Sequence, residues 1–175
     1  MTDQVEKRLA GVGNFNYEED FPAAKILVKG SIPRGLILLI GPPGSGKTVF
    51  CKQFIYSGLL KDQSAIIMLT DEPSTGLVQS MNTLGFDVRS FEDKMRLIDC
   101  YSWRTGRKPT SAFYVSSPGE LTEVSSVIDQ ARQGLSGFRF VLDSLTTLAI
   151  NSGMDAVPIF LQKLVATTKE LNGLG

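Results

Sequence analysis

A glycine-rich octapeptide, GPPGSGKT at residues 41–48, places the strongest constraint on how this chain folds. It follows an aliphatic run at residues 36–40 and precedes an apolar pattern at helical spacing that includes Phe50 and Phe54. The octapeptide fits G-x-x-x-x-G-K-[ST] at every fixed position, in the strand-to-helix setting that this motif requires. Glycines let the backbone fold around an anion with its N–H groups pointing inward, and the helix adds its positive dipole end. The sequence therefore predicts a polyphosphate-binding loop.

Two side chains of this loop are expected to act directly on the ligand. Lys47 should reach the β- and γ-phosphates, and the Thr48 hydroxyl should bind a Mg²⁺ ion that otherwise keeps water and phosphate oxygens. The alternative is a plain strand-to-helix turn with an incidental lysine. The residues predicted to bind the nucleotide are Gly41, Pro42, Pro43, Gly44, Ser45, Gly46, Lys47, Thr48 and Val49.

A second acidic element lies at residues 138–143, where the apolar sequence FRFVL ends in Asp143. A carboxylate at the end of such a strand can hold the water shell of the magnesium opposite Thr48. The alternative is that Asp143 caps the turn at residues 144–148, since Asp is a favoured capping residue. Placed beside the phosphate loop, Asp143 is predicted to be the second metal-site residue.

A further pair of acids, Asp71 and Glu72, follows a predicted strand at residues 65–70. A water molecule that attacks the γ-phosphate must be oriented by a carboxylate or amide near the nucleotide. Glu72 is the first choice for this base and Asp71 the fallback, so the predicted catalytic residues are Glu72, Asp71 and Lys47. The alternative is that both acids are solvated and cap the helix after Pro73.

Strand and helix patterns alternate along the rest of the chain. The predicted strands lie at residues 36–40, 65–70, 95–100 and 138–142, and a helical pattern follows each of them. The first strand shows no polar alternation, so both of its faces are expected to be covered. Strands joined by helical crossovers pair in parallel. The predicted fold is a three-layer α/β/α sandwich with a mostly parallel sheet.

The composition excludes several classes of protein. With 175 residues, 42% apolar and 21% charged, the chain matches one globular domain rather than a disordered or fibrous chain. The aliphatic run at residues 36–40 is far too short to span a membrane, and the start MTDQVEKRLAG lacks the apolar stretch of a secretory signal, so the cytoplasm is expected. The absence of His argues against zinc, and Cys51 and Cys100 are expected to be buried thiols.

Together, the motifs resemble the RecA-like ATPases and, among them, the KaiC-like proteins. GPPGSGKT also occurs in AAA+ proteins, but those usually place Glu directly after the metal-site Asp, whereas this chain has Ser144. KaiC-like proteins typically show that Asp-Ser pair and place two acids after the second strand, where this chain has Asp71, in place of the more usual Glu, and Glu72. The matching segments are GSIPRG at 30–35, GPPGSGKT at 41–48, TDE at 70–72, IDCYSW at 98–103 and VLDSLT at 141–146.

Residues 1–24 are polar and are expected to form an N-terminal extension. The resemblance implies a RecA-like (KaiC-like) ATPase domain at residues 25–175, with ATP and Mg²⁺ as cofactors. It implies slow ATP hydrolysis that drives a regulatory or assembly switch in a homo-oligomer, such as a hexameric ring or a filament, with the nucleotide at subunit interfaces. In this family a strand after the last helix lies between the phosphate-loop strand and the Asp143 strand, whereas this sequence stops at Gly175. We therefore expect the natural protein to be longer, with the remaining C-terminal strands downstream.

Two other functions stay open at this level. One is a DNA-dependent, recombinase- or helicase-like motor, for which Trp103, Arg104, Arg107 and Lys108 form an aromatic and basic loop. A solvated loop around one semi-buried Trp is the preferred explanation of these residues, and 18 basic against 18 acidic residues argue against nucleic acid. The other is a nucleotide-gated binding switch with negligible turnover. No acceptor for a protein-kinase reaction is identifiable.

Overall fold

The computed structural model describes residues 34–175, so the extension predicted at residues 1–24 lies outside the described residues. The helices of the described range are α1 (Lys47–Leu60), α2 (Ser74–Thr83), α3 (Leu121–Ala131), α4 (Leu145–Ser152) and α5 (Val157–Glu170). The strands are β1 (Ser64–Leu69), β2 (Met95–Asp99), β3 (Phe113–Tyr114) and β4 (Phe138–Asp143). Short 3₁₀ turns lie at Arg89–Phe91 and Ser102–Thr105. None of the helices in this range is long and apolar enough to cross a membrane.

The strands form a parallel sheet in the order β3-β2-β1-β4. In register, Leu69 at the end of β1 lies opposite both Asp99 of β2 and Asp143 of β4. All carboxyl ends therefore meet at one edge, which is where parallel α/β sheets bind ligands. The segments that follow β1, β2 and β4 are thus brought together although they lie far apart in sequence.

Alternate side chains of β1 point to opposite faces of the sheet, and different helices cover the two faces. The core beneath α1 and α2 includes Ile55, Ala65, Ile67, Leu69, Leu77 and Met81. The core beneath α3, α4 and α5 includes Ile66, Met68, Ile128, Leu148, Phe160 and Leu164. This arrangement confirms the predicted three-layer α/β/α architecture.

The segment at residues 36–40 is not the buried strand predicted from its aliphatic sequence. Its residues Ile37, Leu38, Leu39 and Ile40 are 50%, 65%, 40% and 82% exposed. Ile37 N–H donates to the carbonyl of Gly175 over 2.7 Å, but the sequence ends there and no other described segment continues the pairing. The prediction of a strand covered on both faces is therefore wrong for the described residues, because an aliphatic run is buried only where neighbouring strands flank it.

Residues 173–175 lie between this segment and β4. The N–H of Gly175 donates to the carbonyl of Gly35 over 2.9 Å, and on the other side the N–H of Phe140 donates to the carbonyl of Leu174 over 2.8 Å. Both bridges of Leu174, to Gly35 and to Arg139, are parallel. These residues thus lie at the position that the resemblance predicts for the strand after the last helix.

Candidate nucleotide-binding site

The loop at residues 41–48 turns tightly and leads directly into α1. Gly44 and Gly46 have φ values of 77° and 86°, in the left-handed region that glycine adopts without strain. At Gly41 an added Cβ would lie 2.7 Å from Ser45 Oγ, so a larger residue there would require the Ser45 side chain to move. Gly46 is the N-cap residue of α1, and no described side chain caps this helix. The N–H groups of its first turn are therefore available to an anion.

Lys47 folds back over the loop from the first position of α1. Its Nζ donates to the carbonyl of Gly41 over 2.7 Å and to that of Pro42 over 2.9 Å. Phosphate oxygens would accept stronger, charge-assisted hydrogen bonds than these neutral carbonyls. The ammonium group is thus held at the loop by contacts that a polyphosphate can replace.

Thr48 and Asp143 offer the hard oxygen donors that Mg²⁺ prefers. Thr48 is exposed on the first turn of α1, and Asp143 is half-buried at the end of β4. Burial first, and then the negative charge of Asp143, raise the pKa of Cys51 on α1 to about 11. No group of three or more acidic, His or Cys side chains converges within residues 34–175. The oxygens of Thr48 and Asp143 suit a magnesium ion, which usually keeps several waters and phosphate oxygens as its other ligands.

The alternative in which Asp143 caps the following turn is wrong. The turn is a full helix, α4, and its N-cap residue is Ser144, whose Oγ accepts a hydrogen bond from the N–H of Thr147 over 3.2 Å. The Asp143 carboxylate is not used in capping, because β4 extends through that residue. It therefore stays at the carboxyl edge of the sheet as a candidate metal ligand.

Thr70 ties the end of β1 to the end of β4. Its N–H donates to the carbonyl of Asp143 over 2.9 Å. Its hydroxyl accepts from the N–H of Ser144 over 2.6 Å and donates to the carbonyl of the same residue over 3.2 Å. Thr70 is 1% exposed, so these hydrogen bonds are shielded from water. They hold the segment of Asp71 and Glu72 beside the turn that follows Asp143.

The two acids after β1 have different partners, and neither caps α2. Oδ1 of the exposed Asp71 accepts a hydrogen bond from Thr147 Oγ1 over 2.7 Å. Oε1 of Glu72 lies 2.9 Å from Nζ of Lys52. The N-cap residue of α2 is Pro73, with no hydrogen bond from a described side chain to its N-terminus. The capping alternative is therefore wrong, while both acids lie at the sheet edge where the sequence predicts them.

Three residues of this region were not predicted from the sequence. Thr147 belongs to no motif, and Thr70 opens the segment TDE at residues 70–72 but has no predicted role there; only the tertiary structure reveals their partners. Lys52 carries a weak signal, because it lies three and seven residues before Ile55 and Leu59 on the buried face of α1. A lysine at an inward-facing helix position requires a partner. That spacing indicates a buried ion pair but does not identify which acidic residue is the partner of Lys52.

The aromatic and basic loop is fixed at its base by a buried carboxylate. Asp99, 2% exposed, accepts through Oδ1 from the N–H groups of Tyr101 and Ser102, each over 2.8 Å, and through Oδ2 from Ser102 Oγ over 2.6 Å. The 3₁₀ turn that follows presents Trp103, which is 42% exposed, and places the Arg104 guanidinium 6.0 Å from the Trp ring. The carboxyl edge of the sheet thus also carries an aromatic and cationic surface.

Both cysteines are predicted to react slowly with alkylating reagents. Burial, and then the charges of Asp99 and Glu123, raise the pKa of Cys100 to about 12, while that of Cys51 is raised to about 11. Since the thiolate is the nucleophile, only about one Cys51 side chain in a thousand is in the reactive thiolate form at pH 8. Iodoacetamide labelling read by mass spectrometry should be at least about tenfold slower than in urea and should accelerate above pH 9. Equal rates in the folded and unfolded protein would contradict this assignment.

A glycine-rich loop that opens a helix, a carboxylate at the end of β4 and paired acids after β1 define a RecA-like P-loop domain. A family model described as the KaiC ATPase matches residues 24–173. The chain belongs to this KaiC family of ATPases.

Relatives from archaea share much of the chain. A UPF0273 protein of Methanocaldococcus jannaschii is 32% identical over 160 residues, covering 88% of this chain and 64% of the relative. Another, from Pyrococcus horikoshii, is 33% identical over 145 residues, covering 81% of this chain and 59% of the relative. The chain thus spans about three fifths of the length of these relatives. The crystal structure of a KaiC-like protein from Pyrococcus horikoshii OT3 matches with a TM-score of 0.64 at 21% identity, covering 93% of this chain and 68% of that chain, which supports the fold.

Proposed function

We propose that this chain binds ATP together with Mg²⁺ and hydrolyses it slowly to ADP and phosphate. The observation that carries the proposal is the loop at residues 41–48, whose positive-φ glycines and uncapped helix start form a cradle of N–H groups beside the Lys47 ammonium. Such a cradle suits a polyphosphate. Membership of an ATPase family supports ATP as the nucleotide.

Each side chain of the site has a proposed role. Lys47 exchanges its carbonyl contacts for the β- and γ-phosphate oxygens, and Thr48 and Asp143 hold the metal directly and through water. Magnesium, when bound, neutralises charge on the phosphates. Glu72 orients the attacking water and accepts its proton as the water oxygen bonds to the γ-phosphorus and the bond to the β-phosphate oxygen breaks. Asp71, on the same segment, is the fallback for this base.

The proposal also covers the biological role of the hydrolysis, its location in the cell and the assembly of the subunits. By resemblance to the family, hydrolysis drives a regulatory or assembly switch in the cytoplasm. The subunits assemble as a ring, such as a hexamer, and the nucleotide lies at their interfaces. The exposure of the loop at residues 42–46 is compatible with a neighbouring subunit that approaches the nucleotide there.

Phosphate release from ATP tests the proposal directly. We expect steady release of inorganic phosphate with Mg²⁺ and loss of release with EDTA, because the metal is required to neutralise the γ-phosphate. The same samples should bind ATP in the presence of Mg²⁺. Binding without any ADP after prolonged incubation would contradict the hydrolysis and favour a nucleotide-gated switch instead.

The DNA-dependent motor has one observation in its favour, the surface around Trp103. The Arg104 guanidinium lies 6.0 Å from this Trp ring, Arg107 and Lys108 follow in the sequence, and residues 100–119 contain no Asp or Glu. Aromatic and cationic residues together suit single-stranded nucleic acid. Phosphate release measured with and without single-stranded DNA at several salt concentrations separates the two functions. Stimulation that weakens steeply with salt would favour the motor, and an unchanged rate is the result that the ATPase switch predicts.

A further inference from the structure

Lys52 is a buried cation that the proposed reaction does not yet use. It lies on α1 with its side chain 8% exposed, and its Nζ lies 2.9 Å from Glu72 Oε1. The same Nζ donates to Ser80 Oγ on α2 over 2.6 Å, and Ser80 donates in turn to the carbonyl of Leu77 over 2.9 Å. The ammonium is therefore fixed between two helices and the end of β1.

Stability alone gives a poor reason for a charge at this position. Burying an ion pair costs desolvation that its attraction often only balances, and replacing both partners by apolar side chains of similar volume is often neutral or stabilising. The neighbours of Lys52 along the buried face of α1 are Ile55 and Leu59, so this face of the helix is otherwise apolar. The ammonium group is therefore better explained by what it does to Glu72.

The pair holds one oxygen of the carboxylate and leaves the other open. Within residues 34–175 no hydrogen-bond donor reaches Oε2 of Glu72, and the side chain is 29% exposed. Lys52 lies four residues after Thr48, so both occupy the same face of α1 with a rise of ~6 Å between them. The lysine that holds the carboxylate thus extends from the same face of α1 as the hydroxyl that is proposed to bind magnesium.

We propose that Lys52 is a positioning residue, which anchors Glu72 through Oε1 so that Oε2 can accept a hydrogen bond and then a proton from the attacking water. This inference rests on the proposed function, since it assigns Lys52 a part in the same hydrolysis. Ser80 supports the arrangement by holding the ammonium from the side of α2. Lys52 itself touches neither nucleotide nor water in this role.

The test is the variant Lys52→Met, which fills the same space without the charge. We expect kcat to fall about 10- to 100-fold because the carboxylate is no longer held in place. The KM and the affinity for ATP should stay near those of the wild type, since the phosphate loop is untouched. The melting temperature should fall, because Glu72 loses its charged partner. Lys163→Met, which removes an exposed charge on α5, is the matched control and should leave all of these values unchanged.

Two further variants show whether Lys52 acts through Glu72. In the Glu72→Gln background, Lys52→Met should cause no additional loss of turnover, and an additional loss would overturn the inference. Ser80→Ala leaves the ion pair in place and should lower kcat by about two- to fivefold, the effect of one hydrogen bond. Ser80→Ala still tests the inference if Lys52→Met does not fold, and an unchanged kcat of Ser80→Ala would then overturn it.

The outcomes separate this inference from the proposed function. If Glu72→Gln turns over slowly but Lys52→Met turns over at the wild-type rate or faster, only the role of Lys52 is overturned. Wild-type turnover of Glu72→Gln would overturn the assignment of the base and the inference with it. A wild-type protein that binds ATP but releases no phosphate would remove the hydrolysis on which both rest.

Discussion

Lys47→Ala should abolish ATP binding at concentrations where the wild-type protein is saturated. Lys47 contributes the ammonium that lies 2.7 Å and 2.9 Å from the loop carbonyls of Gly41 and Pro42 and is proposed to move onto the phosphates. Charge-assisted hydrogen bonds contribute about 1.5–3 kcal/mol each, so the loss of two corresponds to an affinity decrease of at least about 100-fold. Titration calorimetry with ATP and Mg²⁺ measures the change.

The control for this variant is Lys163→Ala, which removes an exposed charge far along the chain on α5. Thermal unfolding of both variants should match the wild type, because the Lys47 side chain contributes little to either core. A Lys47→Ala protein that is folded and binds ATP with wild-type affinity would show that the loop at residues 41–48 is not the nucleotide site.

Glu72→Gln should retain ATP binding and lose turnover by about 100-fold or more, the usual contribution of a general base. The amide oxygen can still accept a hydrogen bond from Lys52 Nζ, so the side chain keeps its place, but it cannot take a proton from water. Phosphate release gives kcat, and calorimetry gives the affinity for ATP. A wild-type rate in the folded variant would show that Glu72 is not the base.

Asp71→Asn is the matched variant for this experiment, since it neutralises the neighbouring acid. The expected result is a smaller decrease in kcat than that of Glu72→Gln, because the Asp71 carboxylate already accepts a hydrogen bond from Thr147. The reverse order of the two rates would assign the base to Asp71. The comparison therefore decides between the two candidates that the sequence left open.

The features predicted correctly from the sequence depend on local patterns. The loop at residues 41–48 has a fixed spacing of glycines, and it leads into the predicted helix, which begins at Lys47. The apolar strands β1, β2 and β4 begin within one residue of their predicted starts, because each is bounded by polar or glycine residues. Their parallel order then brings Asp71, Glu72 and Asp143 to one edge without any information on tertiary contacts.

The features that were missed depend on partners distant in sequence. The burial of residues 36–40 is decided by the strands beside them, and pairing in the described residues reaches only Ile37. The choice of Ser144 over Asp143 as a helix cap depends on how far β4 extends, since both residue types cap well. The pairing of Lys52 with Glu72 joins α1 to the end of β1, and no spacing in the sequence specifies it.

Calorimetric titration of the folded wild-type protein with ATP and Mg²⁺ tests the central claim, that the loop preceding α1 binds a nucleoside triphosphate. We expect binding of one ATP per chain, with weaker binding of ADP and little binding of AMP, because the loop binds the β- and γ-phosphates. If no heat accompanies the addition of ATP, GTP or their diphosphates to protein whose cooperative unfolding shows that it is folded, the loop does not bind nucleotide and the account is contradicted.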